Sequence, residues 1–265
     1  MPYAENEGTK IYWEEQGSGP PLVLIMGLGY TSEMWHRVLP AVARQYRTIL
    51  FDNRGVGRSD VPAQGYGIGD MAADTAAVMD AAGVQSAHVF GISMGGLIAQ
   101  EFALRYPERV KSLILGCTHH GGREAVVAER EVFDVLMARG NMPPEEGTRA
   151  MVPYIYDEAT PRERVEQDIE IRLRTYPTTA GYFGQIQAIL AFDARDRLPQ
   201  ITARTLVLHG ESDRLVPPEN GRLLAGLIPG AKLIMLKGAS HIFPTDQPEA
   251  SLDAILSFLR QESGD

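Results

Sequence analysis

Six short apolar segments alternate with amphipathic ones, and this alternation restricts the possible folds more than any other feature of the chain. The apolar segments lie at residues 21–26, 48–51, 87–90, 110–115, 205–208 and 232–236. The amphipathic segments have apolar residues at helical spacing and lie at 35–44, 71–82, 97–105, 221–228 and 250–259. Strands that are apolar on both faces belong in a parallel sheet covered by helices. We therefore predict an α/β fold with a doubly wound, mostly parallel sheet, and an antiparallel edge strand at residues 11–15.

The alternation stops between residues 121 and 199. This stretch contains three segments of helical period, at residues 125–139, 161–174 and 182–192. The strand pattern then resumes at Thr205. A helical excursion between two strands of one sheet is most simply a cap folded over the edge of that sheet. We therefore predict a core domain of residues 1–120 and 200–265, and a helical cap of residues 121–199.

A serine stands between two glycines at the point where a predicted strand changes to a predicted helix. The pentapeptide Gly91-Ile92-Ser93-Met94-Gly95 joins these two elements with almost no loop. So sharp a turn crowds the positions two residues either side of its apex, which favours glycine there and pushes the apex residue outward. A small residue needed only for the turn would also explain Ser93. The flanking elements, however, match the strand–turn–helix context of a nucleophile elbow, so we interpret Ser93 as a nucleophile.

Two loops supply partners for this serine. A serine hydroxyl needs a nearby base that is itself oriented by a third group. Asp213 follows the strand that ends at residue 208, and His241 follows the last core strand. Loops after the carboxyl ends of parallel strands line one crevice, so the three side chains can converge. Glu211 is the alternative acid, and both partners could be ordinary loop residues, but the pattern Gly210-x-x-Asp213-x-x-x-Pro217 favours Asp213.

Acyl transfer also needs amide groups that donate hydrogen bonds to the developing oxyanion. The N–H of Met94, directly after Ser93, is one predicted donor. The N–H of Leu28, in the turn Met26-Gly27-Leu28-Gly29 after the first parallel strand, is the other. A purely structural turn would explain Gly27 and Gly29 equally well, so the assignment of Leu28 depends on that of Ser93.

Together these motifs resemble the α/β-hydrolase family over nearly the full length of the chain. The matching motifs are Gly27-Leu28-Gly29 with Trp35, Phe51-Asp52-Asn53-Arg54-Gly55-Val56-Gly57-Arg58-Ser59, the Ser93 turn, Gly210-x-x-Asp213-x-x-x-Pro217 and Gly238-Ala239-Ser240-His241. The sequence is most similar to the capped, cofactor-free esterases and enol-lactone hydrolases. This resemblance implies a cap inserted after the sixth strand, structural roles for Asp52 and Arg54, and no metal or organic cofactor. Many relatives have His-Gly at Met26-Gly27, so a polar brace of this turn is missing.

These residues predict a carboxylic-ester hydrolase that acts through Ser93, His241, Asp213 and an acyl-enzyme on small to medium, largely apolar esters. The alternative is a hydrolase of enol-lactones or acyl-homoserine lactones, because a lactone is an ester with a tethered leaving group. A C–C bond hydrolase is disfavoured, since Ile242 stands where such enzymes usually carry tryptophan. The complete triad disfavours a non-catalytic ligand receptor, while peroxidation as a side activity stays open.

The apolar residues of the cap exceed what its helices need for packing on one another, which indicates that some line an acyl pocket. The predicted substrate-binding residues are Gly27, Tyr30, Phe133, Met137, Phe183, Ile186 and Phe243. Arginines in the cap alternate with acidic residues, which indicates solvated helix faces, so we expect neutral esters to be preferred over substrates with a free carboxylate. His120 could face the substrate, although a plain loop position is favoured.

Composition limits the partners. The net charge is −9 and no basic cluster stands out, which argues against nucleic acid and anionic membrane surfaces. No signal-peptide pattern and no apolar run of about 18 residues is found, so we expect a cytoplasmic protein with a small-molecule ester or lactone substrate, as a monomer or homodimer. The single cysteine, Cys117, is expected to be a small buried residue. The doublet His119-His120 lacks a matching set of metal ligands.

Overall fold

The computed structural model describes residues 2–261, and these form one eight-stranded sheet. The strands are β1 (Tyr3–Asn6), β2 (Thr9–Gln16), β3 (Pro21–Ile25), β4 (Arg47–Phe51), β5 (Ala87–Ile92), β6 (Val110–Gly116), β7 (Arg204–Gly210) and β8 (Lys232–Leu236). Their order across the sheet is β1-β2-β4-β3-β5-β6-β7-β8. The pairs β1–β2 and β2–β4 are antiparallel, and the pairs from β4 to β8 are parallel. The predicted mostly parallel α/β sheet is therefore confirmed.

Some of the helices cover both faces of this sheet, and others belong to the segment between β6 and β7. The helices are α1 (Leu39–Val42), α2 (Ile68–Ala81), α3 (Met94–Arg105), α4 (Arg130–Arg139), α5 (Pro144–Ala150), α6 (Val152–Ile155), α7 (Arg162–Arg174), α8 (Thr179–Leu190), α9 (Glu219–Leu227), α10 (Phe243–Asp246) and α11 (Pro248–Arg260). Helices α2, α3 and α9 bury their apolar side chains in one core layer, and α1 and α11 bury theirs in the other. Two core layers on opposite faces are the expected result of a doubly wound chain. Among residues 2–261, no helix has the length and apolar character of a membrane span.

The amino-terminal edge differs from the sequence prediction. We expected one antiparallel edge strand at residues 11–15, whereas β1 and β2 form a hairpin at this edge. Its turn contains Glu7 and Gly8, both at positive φ. Strand β1 has only four residues, of which Ala4 alone is buried, so it carries too little apolar pattern to be recognised.

The segment between β6 and β7 contains the five helices α4 to α8. Its ends are joined by a β-bridge between Gly121 and Asp193 and by the amide of Ala194, which donates to the carbonyl of His120 at 2.9 Å. Helices α4, α6 and α7 share a separate buried cluster that includes Val132 and Ile169, while α8 packs into the main core. The division into a core of residues 1–120 and 200–265 and a cap of residues 121–199 stays a prediction.

The connection between β5 and α3 leaves no room for side chains at its two glycines. A Cβ atom on Gly95 would overlap the carbonyl of Ile25 in β3, and one on Gly91 would overlap the carbonyl of Gly95. These carbonyls belong to the backbone and cannot rotate away. The first turn of α3 therefore lies directly against the carboxyl end of β3, and only glycine permits this approach.

We expect Gly95→Ala to lower the free energy of unfolding by about 3 kcal/mol or more, because the added methyl group must displace backbone atoms. Urea unfolding followed by circular dichroism measures the change. Gly226→Ala is the matched control, since Gly226 is exposed in α9 with no atom within 4 Å of an added Cβ. This control should raise the free energy of unfolding by about 0.5–1 kcal/mol. Equal effects of the two substitutions would contradict the close contact of α3 with β3.

Candidate active site

Ser93 occupies the apex of the turn between β5 and α3 in a strained backbone conformation. Its φ is 57° and its ψ is −123°, a combination that costs about 1–3 kcal/mol for a residue other than glycine. Neighbouring bonds hold it there, because its amide donates to the carbonyl of Gly116 at 2.8 Å and its carbonyl accepts from Thr118 Oγ1 at 2.7 Å. The turn exposes the Ser93 side chain to a cavity at the carboxyl end of the sheet.

Asp213 and His241 form a buried hydrogen-bonded pair beside this cavity. His241 Nδ1 lies 2.8 Å from Asp213 Oδ2, and each residue is 3% exposed. The other oxygen of Asp213 accepts from the amides of Leu215 at 2.9 Å and Val216 at 2.8 Å. Since the carboxylate has no proton to donate, the shared proton belongs to His241 Nδ1. The Nε2 atom of His241 is thereby left as a base, and His241 lines the same cavity as Ser93.

The charge of Asp213 is maintained despite its burial. Burial alone would raise the pKa of this carboxyl, but the charge of His241 and the hydrogen bonds from His209 and His241 outweigh burial and lower the pKa to about 2. His209 Nε2 lies 3.5 Å from Asp213 Oδ2 and 2.9 Å from the carbonyl of Val216. The sequence placed His209 only at the end of a strand. The contact of His209 with the Asp213 carboxylate arises because the loop after β7 folds back over the end of that strand.

One buried group of potential metal ligands lies behind this pair. Ligand atoms of Cys117, His209 and Asp213 lie within 4.8 Å of one another. A metal would require a thiolate, whereas burial and then the charge of Asp213 raise the pKa of the Cys117 thiol well above its usual value. Asp213 Oδ2 is already bonded to His241. These residues therefore fit a metal centre poorly, and Cys117 is fully buried as expected.

The cavity has a volume of about 230 Å³ and is mostly apolar. Ser93, His241, Leu28 and Met94 all line it. The amide of Met94 begins α3, so it has no acceptor within its own helix. Within residues 2–261, the amide of Leu28 donates to no backbone carbonyl. The structure thus brings the sequence-predicted catalytic and oxyanion residues to one place, and their roles stay predictions.

The predicted substrate-binding residues divide into two groups. Those that line the cavity are Gly27, Tyr30, Phe133, Met137 and Ile186. Phe183 lies outside the lining and packs edge-on against Tyr182, with ring centroids 5.7 Å apart. Phe243 is fully buried in the core layer on the α11 side of the sheet, and its neighbour Ile242 lines the cavity instead. The sequence alone does not show which of the two adjacent apolar residues, Ile242 or Phe243, faces the cavity.

The turn that carries Leu28 is braced by two amide side chains that the sequence analysis missed. Gln185 accepts from the amide of Gly29 at 2.8 Å and donates to the carbonyl of Arg54 at 2.8 Å. Asn53 Nδ2 donates to the carbonyl of Met26, also at 2.8 Å. The expectation that a polar brace is missing was therefore wrong. Gln185 lies in α8, 156 residues from Gly29, so no local pattern could have indicated this contact.

His119, rather than His120, is the histidine of this doublet that lines the cavity. The amide of Gly121 donates to His119 Nδ1 at 2.9 Å, so the proton of the neutral ring is on Nε2. Burial, with smaller contributions from neighbouring histidines, lowers the pKa of His119 to about 4. His119 is thus a neutral hydrogen-bond donor at neutral pH. His120 is fully buried and does not face the substrate side.

The arginines of the cap do not all lie on solvated faces. Arg130, Arg149, Arg162 and Arg174 are exposed and form ion pairs with acidic residues, as expected. Arg139 and Arg172 instead are buried, with 2% and 1% exposure. For these two residues the sequence expectation was wrong, because alternating charge along a helix does not reveal a side chain that turns under a neighbouring helix.

The chain is similar to known hydrolases over almost its whole length. The family model described as alpha/beta hydrolase fold matches residues 20–248. A putative carbamate hydrolase RutD from Azorhizobium caulinodans is 35% identical over 265 residues, which covers 97% of this chain and 98% of the relative. The crystal structure of the enol-lactonase from Burkholderia xenovorans LB400 has a TM-score of 0.87 and 28% identity, covering 98% of this chain and 100% of the other. An esterase from Exiguobacterium antarcticum has a TM-score of 0.88 and 26% identity, covering 98% and 99%.

The brace formed by Gln185 generates a prediction about catalysis. Gln185→Ala should lower kcat for p-nitrophenyl butyrate by about tenfold or more and change KM less, because loss of the brace would displace Leu28, the predicted oxyanion donor. Steady-state kinetics measure both constants. Gln187→Ala is the matched control, since Gln187 is exposed on the same helix. Equal kinetics of the two variants would show that Gln185 does not position this turn.

Proposed function

The chain belongs to the alpha/beta hydrolase family, and on this premise we propose that it hydrolyses carboxylic esters with Ser93 as nucleophile, His241 as base and Asp213 as the orienting acid. One observation carries the proposal. Ser93 and His241 line one apolar cavity, and Asp213 holds the far nitrogen of the His241 ring at 2.8 Å. A strained serine, an oriented imidazole and a buried carboxylate are the parts that acyl transfer through a serine requires.

The reaction has two halves. His241 Nε2 takes the proton of Ser93 Oγ while Oγ attacks the ester carbonyl, and His241 then gives this proton to the departing alkoxide. The resulting acyl-enzyme is attacked by water, which gives its proton to His241, and collapse of the second intermediate returns a proton to Ser93 and releases the acid. The amides of Leu28 and Met94 hold the oxyanion in both halves, and each such donor contributes about 2.7–4 kcal/mol. We propose that no metal or organic cofactor takes part.

The cap is proposed to select the substrate. Phe133 and Met137 of α4 and Ile186 of α8 line the cavity with Ser93. Pockets for small molecules are mostly apolar with a few placed polar groups, and this lining has that composition. Residues 121–199 are therefore proposed to choose a short to medium acyl chain, while residues 1–120 and 200–265 supply the catalytic groups.

Lactones are the second candidate substrates, supported by the similarity to the enol-lactonase. A lactone presents the same carbonyl to Ser93, and only the tether of its leaving group differs. Carbamates are a third kind of substrate to compare, because one relative is named as a putative carbamate hydrolase. The rates of hydrolysis of a linear ester, a lactone and a carbamate of similar size distinguish these candidates. We expect the linear ester to react fastest.

We expect Ser93→Ala to reduce hydrolysis of p-nitrophenyl butyrate by at least about a thousandfold, because alanine offers no nucleophile. The rate of p-nitrophenol release is the measurement. Ser212→Ala is the control, since the exposed Ser212 hydroxyl bonds Asp157 and does not line the cavity. Retention of more than about a tenth of the activity by Ser93→Ala would refute the mechanism. A burst of product without steady turnover in the unaltered protein would favour a receptor.

Shortening a cavity side chain of the cap should change the preferred substrate. Ile186→Ala is expected to move the optimum of kcat/KM toward longer acyl chains, because it enlarges the cavity next to Ser93. A series of p-nitrophenyl esters from acetate to dodecanoate locates this optimum. Phe183→Ala is the control, because Phe183 packs against Tyr182 outside the lining. An unchanged optimum in Ile186→Ala would place the selecting surface elsewhere.

A further inference from the structure

Two arginines of the cap lie buried against the ring of one tyrosine, Tyr30, at the cavity. Arg139 ends α4 and Arg172 lies in α7. Their guanidinium carbons are 4.8 Å and 4.5 Å from the centroid of the Tyr30 ring. Arg139 also lies 5.2 Å from the ring centroid of Tyr182. Cation–π contact with these rings offsets part of the cost of removing the two charges from water.

Most donor nitrogens of the two guanidinium groups lack hydrogen-bond partners. Within residues 2–261, Nε and Nη2 of Arg139 and all three nitrogens of the Arg172 guanidinium make no hydrogen bond. Asp168 is the acid whose charge acts on Arg172, but its two oxygens already accept from other groups. These groups are His36, Arg37, Tyr156 and Thr245. Buried charged donors without acceptors are unfavourable, so this arrangement favours an acceptor that enters from outside the protein.

Arg139 connects this pair to the catalytic groups, because it lines the same cavity as Ser93 and His241. No aspartate or glutamate is among the described residues of that lining, and His119 is neutral. Among the described side chains of the lining, Arg139 therefore supplies a positive charge, although the chain as a whole has a net charge of −9. A planar guanidinium binds a carboxylate through two parallel hydrogen bonds, which matches donors that are fixed between aromatic rings.

We propose that Arg139, with Arg172 against the same Tyr30 ring, forms a subsite for a carboxylate carried by the ester substrate. The proposal rests on the proposed ester hydrolysis at Ser93 and names its substrate class, an ester with a free acid at the far end of a short apolar chain. Phe133 and Met137 of α4 also line the cavity, and they would contact the apolar chain of such a substrate. This proposal is the opposite of the expectation from sequence that neutral esters are preferred.

The test compares esters that differ only in a carboxylate. Monomethyl adipate and methyl hexanoate place the carboxylate or a methyl group on the acyl side, and 5-acetoxypentanoate and pentyl acetate do so on the alcohol side. The variant is Arg139→Met, and the control is Arg149→Met, an exposed arginine of the cap that pairs with Glu145 and Glu166. Acid release in a pH-stat gives kcat/KM for each ester and protein.

In the unaltered protein, we expect at least one carboxylate ester to be hydrolysed no more slowly than its neutral counterpart. Arg139→Met should lower kcat/KM for that ester by about tenfold or more and change the neutral counterpart by less than about threefold, because only the carboxylate loses its partner. Arg149→Met should change neither. A parallel fall for both esters, or a preference for the neutral ester in the unaltered protein, would overturn the proposal.

Inhibition of the unaltered protein tests the subsite even if Arg139→Met does not fold. Adipate should inhibit methyl hexanoate hydrolysis by the unaltered protein at lower concentration than hexanoate does, and equal or stronger inhibition by hexanoate would overturn the subsite. The two proposals fail in different ways. Hydrolysis of methyl hexanoate that persists in Ser93→Ala would count against the proposed function. Hydrolysis that depends on Ser93 but ignores the substrate carboxylate would count against the subsite alone.

Discussion

The contact between the first turn of α3 and the carboxyl end of β3 is the constraint from which the candidate site follows. It requires glycine at position 95, and the tight turn before it requires glycine at position 91 and has Ser93 at its apex with a φ of 57°. The same contact places the Met94 amide at the beginning of a helix, where it has no acceptor within that helix. Because the sheet is parallel here, the loops after β7 and β8 reach the same edge, where His241, bonded to Asp213, lines the same cavity as Ser93.

The segment between β6 and β7 completes this site with polar contacts as well as apolar ones. Gln185 of α8 fixes the turn that carries Leu28, and Arg139 of α4 adds a buried positive charge to an otherwise apolar cavity. Each of these side chains joins a helix of this segment to residues near the start of the chain. We therefore propose that this segment contributes to the geometry at the reacting carbonyl and to the choice of substrate, beyond covering the site.

The sequence predicted those features whose residues lie close together along the chain. The apolar strands and the Ser93 turn have signatures within a few residues, and Asp213 and His241 follow from their position after strand ends. Contacts between distant helices have no such signature, which is why the brace by Gln185 and the burial of Arg139 and Arg172 were missed. The strand β1 was missed for a different reason, since four mostly exposed residues carry no apolar period.

The most direct test of the account is to identify the covalent intermediate. The protein is mixed with p-nitrophenyl acetate, quenched in acid within the first turnover, digested and analysed by mass spectrometry. The account predicts one acetyl group, located on Ser93 and absent when the reaction is quenched after the ester has been consumed. Release of p-nitrophenol with no acetylated peptide, or with the acetyl group on another residue, would contradict it.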